Sequence, residues 1–188
     1  MNQRPVRSQA SRGSIAATGR LRALGFHVFY RLPTGMRRRL VRLAMPKFIV
    51  GAVALVRDSE ATGGGRLLLL RQPPGVGWSL PAGLLRRHET AVAGCARELF
   101  EESGVALSAD DLTPAAPNAL VHSRGRWVDV VFEASVPASE VTLRVDGAEV
   151  LEAAWHRLDN LPPLTPPTAR LLSFYGIGPY AEYPEVRR

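Results

Sequence analysis

The chain has 188 residues, 46% of them hydrophobic, with 24 Lys/Arg against 17 Asp/Glu and a formal net charge of +7. That suits one folded domain plus an extension, and it excludes a chain too polar to bury a core. Cys95 is the only cysteine, so no intrachain disulfide can form, and the longest apolar run, Phe48 to Val56, falls far short of the roughly 18 residues a membrane span needs. A soluble protein of a reducing compartment is expected, which points to the cytoplasm.

The charge is divided unevenly. Residues 1–50 hold 11 Lys/Arg and no Asp or Glu, whereas residues 51–188 hold 13 basic and 17 acidic residues. The positive excess therefore belongs entirely to the N-terminal quarter. Met1 to Thr18 is rich in Ser, Ala, Gln and Arg without periodicity, a composition expected to stay disordered. Arg20 to Arg31 and Met36 to Leu43 read as two short helices parted by the turn signal Leu32-Pro33-Thr34-Gly35. Three readings fit this basic extension, residues 1–47. Its helices dock on the following domain through Leu21, Leu24, Val28, Leu40 and Leu43; or it contacts a polyanion, either lipid headgroups or nucleic-acid phosphates; or it is a targeting leader.

From Phe48 the pattern changes to strands, and residues 48–188 form the main domain. Ile49 to Val56 is apolar and β-branched, Ser59 to Gly65 is a loop with three glycines, and Leu67 to Leu70 is a second buried run, together a hairpin. Arg71 and Gln72 end the second strand before Pro73-Pro74-Gly75. Arg71 reads either as a phosphate contact or as a solvent-facing residue, and Trp78 either as core or as a wall of a substrate cleft.

The most informative stretch runs from Gly83 to Val105, GLLRRHETAVAGCARELFEESGV. It reads as a turn feeding a helix, with Thr90 as N-cap and Gly104 at the C-terminal cap. Val92, Cys95, Ala96 and Leu99 make one apolar face, which gives Cys95 a packing role and not a nucleophile's. Glu98, Glu101 and Glu102 make a second stripe spaced i, i+3, i+4, and the loop can carry Glu89 back toward it. Such like-charged neighbours cost about 0.2–0.5 kcal/mol per pair, and Arg97, four residues before Glu101, is the one compensating cation on the helix. A solvated acidic face is the plain alternative, but the interleaved lysines usual on such faces are missing. A hard divalent cation such as Mg²⁺ or Mn²⁺, which prefers oxygen ligands, would relieve the repulsion. The carboxylates read as a metal site.

These residues resemble the box of the Nudix hydrolases, G-x5-E-x7-R-E-U-x-E-E-x-G-U with U aliphatic. Gly83, Glu89, Arg97, Glu98, Leu99, Glu101, Glu102, Gly104 and Val105 occupy every specified position. One departure precedes it: Pro81-Ala82-Gly83 stands where Pro-Gly-Gly is commoner, and alanine tolerates positive φ less well than glycine. The resemblance implies a Nudix-type α/β/α sandwich with a mixed sheet. It also implies hydrolysis of a nucleoside diphosphate derivative (a nucleotide, nucleotide sugar or ADP-ribose-like compound) by water attack at phosphorus. By the same resemblance Glu98 is general base and metal ligand, Glu101 and Glu102 are metal ligands, and Glu89 is an outer ligand or hydrogen-bond partner. Arg97 would orient the glutamates, and the Gly83 carbonyl would be a further ligand for Mg²⁺ or Mn²⁺. Many such relatives are dimers, which leaves a homodimer open. The rival reading is a nucleotide-sensing or RNA-end-binding module that uses the basic arm.

Beyond the box, Ser108 to Asn118 reads as a Pro/Asp-rich loop, and Leu120-Val121 and Trp127 to Val136 as strands around the turn Ser123-Arg124-Gly125-Arg126. His122, Arg124, Arg126 and Trp127 either grip an anionic substrate or form an ordinary hairpin tip. Asp129 and Glu133 alternate with apolar neighbours, as on a solvated strand face. Val141 to Val145 and Leu151 to Trp155 read as further strands. The resemblance implies one more metal-binding carboxylate or base before the final tryptophan, with Glu149 best placed and Glu152 behind it. Thr165 to Phe174 reads as a helix with Thr165 as N-cap and Pro166 at its first position, contributing Leu171, Leu172 and Phe174 to the core. Strands alternating with these two helices indicate an α/β fold with a mixed sheet between helices.

Overall fold

The structure is a computed structural model and describes residues 23–122 and 125–183. The chain divides into two compact units between Lys47 and Phe48. In the first, α1 covers residues 23 to 31 and α2 covers Thr34–Ala44. Pro33 precedes α2, and its carbonyl accepts hydrogen bonds from the N–H groups of Met36 (2.9 Å) and Arg37 (3.1 Å). The Arg37 guanidinium lies 5.8 Å from the Tyr30 ring centroid and so ties α2 to α1. The stretch Met1 to Thr18 and the expected helix start with Leu21 lie outside the described residues.

The second unit is built on one mixed sheet of β1 (Ile49–Asp58), β2 (Arg66–Arg71), β3 (Trp78–Ser79), β4 (Ala82–Leu84), β5 (Thr113–His122), β6 (Trp127–Val136) and β7 (Glu152–Arg157). The order is β3-β2-β1-β6-β5, with β4 paired to β1 and β7 to β2. β1 and β6 run parallel from Ile49 opposite Trp127 to Asp58 opposite Val136. The expected hairpin of β1 and β2 is antiparallel. Two helices cover the sheet, α3 (Ala91–Ser103) on one face and α4 (Pro166–Ser173) on the other. Alternate residues of β1 feed the two cores. Val53 and Leu55 join Leu67, Leu69, Leu171 and Leu172 under α4, and Ala52, Ala54 and Val56 join Leu68, Cys95 and Leu99 under α3. Burial on both faces is why β1 and β2 read as unbroken apolar runs. The α/β/α sandwich is the architecture that the sequence led us to expect.

Two segments differ from expectation. The Ser108–Asn118 loop contains a short 3₁₀ turn, Ala109–Asp111, followed by most of β5. Pro114 and Pro117 are tolerated there because β5 lies at the sheet edge, paired only to β6, and its register shifts between Pro114 and Ala119. Val141 to Val145 forms no strand. Its alternation does report burial, since Val141 and Leu143 pack on the core under α3. The segment instead crosses the end of α3, where the Arg144 N–H bonds the Ser103 carbonyl at 2.8 Å. Thr165 occupies the predicted cap position of α4, but its hydroxyl bonds the Thr168 hydroxyl (2.9 Å) and not a backbone N–H.

Asp58 fastens the end of β1. Its buried carboxylate accepts the N–H groups of Glu60 and Ala138, both at 3.0 Å, and the Nε of Arg66 at 2.6 Å. Burial acts to raise its pKa, but these donors and the Arg66 charge outweigh it and hold the group below the usual carboxylate range. We expect Asp58→Ala to cost about 1–3 kcal/mol in urea unfolding, because backbone donors lose their acceptor. A depressed folded-state pKa stabilises above the unfolded value of about 4 and the benefit is lost as pH falls through the folded value. The gap between wild type and variant should therefore be full at neutral pH and close in acid; equal midpoints at pH 7 would rule the role out.

Candidate active site

The site starts from β4, whose three residues occupy the first half of one β1 edge: Gly51 opposite Leu84, Ala52 opposite Gly83, and Val53 opposite Ala82. The chain then turns through residues 85–90 into α3. Thr90 caps the helix by accepting the Ala93 N–H at 3.3 Å, and Gly104 ends it in the left-handed region at φ 76°. Cys95 and Leu99 are buried beneath α3. Burial pushes the Cys95 thiol up to about 12, so it packs and does not react. The adjoining stripe of the helix carries Glu98, Glu101 and the buried Glu102, with Arg97 beside it.

Arg97 is the hub. Its Nε donates to Glu89 Oε1 (2.8 Å) and its Nη2 to Glu89 Oε2 (2.9 Å), a two-pronged pairing. Nη2 also donates to the Leu84 carbonyl at 3.0 Å. Nη1 serves both Glu98 Oε1 and Glu101 Oε2, the latter at 3.0 Å. The guanidinium beside Glu89, helped by the Arg86 N–H at 2.8 Å, lowers that carboxyl to about 2. Among the described residues, one cation thus organises three carboxylates, and Arg86 adds an exposed contact to Glu101.

Glu102 has a different environment. It is buried, accepting the Ala82 N–H on Oε2 and the Gln72 side-chain amide on Oε1, both at 2.8 Å. Burial, followed by the charges of Glu98 and Glu149, pushes its carboxyl up to about 7 against those two hydrogen bonds. Glu149 stands in a turn held by Asp146, whose Oδ1 accepts the N–H groups of Ala148, Glu149 and Val150. Glu152, its rival, is instead paired to Arg71 at 2.7 Å.

Gly83 explains a fixed point of the motif. A Cβ built on it would overlap the Glu98 carboxylate, so the bare backbone is what lets Glu98 lie against β4. Ala82 needs no such freedom: it is absent from the positive-φ residues, which besides glycines are His88 and Arg126 among the described residues. The departure at Ala82 therefore introduces no backbone strain.

The expected stripe is present, but no group of three His, Cys, Asp or Glu among the described residues is gathered closely enough to hold a metal as placed. Arg97 takes Glu98 and Glu101, while Ala82 and Gln72 take Glu102. The donors still fit a hard divalent ion. They are carboxylate oxygens within one turn of helix, seated against a glycine cradle and mutually repelling.

The expected substrate contacts separate from the acids. Arg71 and Trp78 pair across β2 and β3, the guanidinium 5.9 Å from the indole centroid. Trp78 packs on the core under α4 and meets His156 edge-on at 4.2 Å. His122 Nε2 lies 2.9 Å from Asp129 Oδ2, and Asp129 Oδ1 accepts the Trp127 indole N–H. Arg126 sits in the turn before β6 at φ 52°; Arg124 lies outside the described residues. Sequence reasoning missed Gln72 and Asp129. A Cβ at Gly51 would come within 3.2 Å of Trp127, 3.4 Å of the Asp129 carboxylate and 3.4 Å of the Gly83 carbonyl. The bare edge of Gly51 is thus where the box meets the β5–β6 side chains. The sole signal in the sequence was the repeated glycine on paired strands.

A profile of the NUDIX domain matches residues 47–174. The chain belongs to the Nudix hydrolase family. It is 43% identical over 54 residues to a MutT-like protein of Streptomyces ambofaciens, covering 29% of this chain and 35% of that protein. It is 34% identical over 86 residues to the NAD-capped RNA hydrolase NudC of Citrobacter koseri, covering 46% of this chain and 31% of the other. The matched stretch is thus about a third of each relative. The crystal structure of a MutT NUDIX hydrolase from Burkholderia pseudomallei shares the Nudix fold at TM-score 0.51 and 28% identity, over 65% of this chain and 94% of that one. Nudix hydrolases generally use a divalent metal, in keeping with the donors described above. No helix among the described residues is long and apolar enough to cross a membrane.

Proposed function

We propose that this Nudix protein hydrolyses the diphosphate linkage of a nucleoside diphosphate derivative with Mg²⁺ or Mn²⁺ held by Glu98, Glu101 and Glu102, Glu149 and the Gly83 carbonyl standing at the margin. The observation that carries the reading is the arginine clamp. Arg97, fixed by Glu89 and the Leu84 carbonyl, presents Glu98 and Glu101 from one helix face. A bound divalent ion would neutralise the diphosphate oxygens and acidify a water. Glu98 takes the proton from the attacking water, and its carboxylate can turn away from Arg97 without releasing the arginine, because the two hydrogen bonds that Arg97 donates to Glu89 remain. Arg97 then keeps Glu101 in place and positions the carboxylates without touching substrate. Gln72 and the Ala82 N–H orient Glu102. Away from the carboxylates, Arg71 with Trp78, and His122, Arg126 and Trp127, supply cations and aromatic edges suited to the part of the substrate beyond the reacting phosphates.

The test is a panel of nucleoside di- and triphosphates, nucleotide sugars, dinucleotides and NAD-capped RNA, the last included because of the Citrobacter relative, with Mg²⁺ or Mn²⁺. Metal-dependent release of a monophosphate from at least one member is expected. Binding without turnover would favour the nucleotide-sensing or RNA-end-binding module. Glu101→Gln and Glu102→Gln should each raise the Mg²⁺ concentration for half-activity, about tenfold or more; an unmoved metal dependence would remove them from the ligand set. A nucleotide substrate and a single buried cysteine fit a cytoplasmic enzyme. The acid-free arm is read as a contact for a polyanion.

A further inference from the structure

Residues 23–47 combine two surface properties that nucleotide hydrolysis does not use. The first is exposed apolar bulk: Leu24, Phe26 and Val28 on α1 and Leu40 and Leu43 on α2 are open to solvent, Leu43 by 84%. The second is charge of one sign, with no Asp or Glu anywhere in residues 1–50. On α2 the two are sorted. At about 100° per residue, Met36, Leu40 and Leu43 fall in one narrow stripe, Arg37 and Arg39 flank it on either side, and Arg38 and Arg42 lie behind. Arginines bordering an apolar stripe can reach outward to phosphates while their stems lie along acyl chains. A groove for RNA would use the arginines but gain little from exposed Leu, Met and Val. A second copy of the arm would bring like charges together. A helix of 11 residues is too short to span a bilayer but suits its interface.

We propose that residues 23–47 seat the protein on an anionic lipid surface, with α2 in the headgroup plane, its Met36, Leu40 and Leu43 toward the acyl chains and its arginines among the phosphates. This rests on the polyanion reading of the arm and is independent of the hydrolase reading. The test is flotation of the full chain with phosphatidylcholine vesicles, with and without about 30% phosphatidylglycerol, and needs no turnover. Binding should be at least about tenfold tighter with phosphatidylglycerol. Arg37→Gln and Arg39→Gln together, the two that border the stripe, should weaken it about 25-fold, each charge contributing roughly fivefold, and more than Arg38→Gln and Arg42→Gln behind it. Met36→Ser, Leu40→Ser and Leu43→Ser together should weaken it about tenfold or more at unchanged charge. Circular dichroism and the unfolding temperature check that the Nudix domain is intact. A separate Leu43→Trp reporter should shift its emission to the blue on adding the anionic vesicles. Absence of flotation would overturn the proposal. So would wild-type binding by the serine triple, or equally tight binding of a short RNA that the serine changes leave unaltered, which would assign the arm to nucleic acid.

Discussion

Glu98→Gln is expected to lower kcat by about 10²–10⁴ on whichever panel substrate turns over, with an unfolding temperature close to wild type. Glutamine preserves the shape that lies against Gly83 and can still accept the Arg97 hydrogen bond through its amide oxygen. What it loses is the capacity to take a proton and the negative charge that serves a divalent ion. A fall in kcat with little change in KM would place the loss in the transition state. Turnover equal to wild type would remove Glu98 from the chemistry and move the role of base to another carboxylate, with Glu149 next in line.

Gly83→Ala is the second large effect. The added Cβ would fall on the Glu98 carboxylate. The conflict cannot be relieved by the strand, since Gly83 is paired opposite Ala52 within the sheet. Glu98 must therefore turn away, and a displacement of about 1 Å can cost on the order of 10²-fold in rate. Stability should change far less, because the Glu98 side chain, 18% exposed, borders solvent and can swing outward. Ala82→Gly is the control, expected to leave the rate within about twofold, as Ala82 needs no positive φ. Full activity in Gly83→Ala would show that Glu98 does not work from the position it occupies against β4.

The box was legible because it is contiguous. Its helix repeats every 3.6 residues, so the apolar face with Cys95 and Leu99 and the acidic face with Glu98, Glu101 and Glu102 can be sorted by spacing alone, and Thr90 and Gly104 mark its ends. The central strands were legible for a related reason: β1 is buried on both faces and its residues show it. β5 was not, since Pro114 and Pro117 are turn signals that an edge strand with a shifted register can absorb. Val141 to Val145 misled in the opposite sense, because alternation records which side chains are buried and not whether a partner strand lies alongside.

What the sequence determined by itself was the chemistry of one helix: which side chains point to the core, which carry acid, and where a lone arginine falls among them. The tertiary structure decided who meets whom. It gave Arg97 to Glu89 as well as to Glu101, sealed Glu102 beneath Gln72 and the Ala82 N–H, separated Glu149 from Glu152, and brought both the Asp129 carboxylate and the Gly83 carbonyl up to the bare backbone of Gly51. The physical reason is reach. Helical periodicity orders neighbours within about four residues, whereas Gly51 and Asp129 face one another only because β1 and β6 run parallel in one register, and no local pattern encodes that pairing.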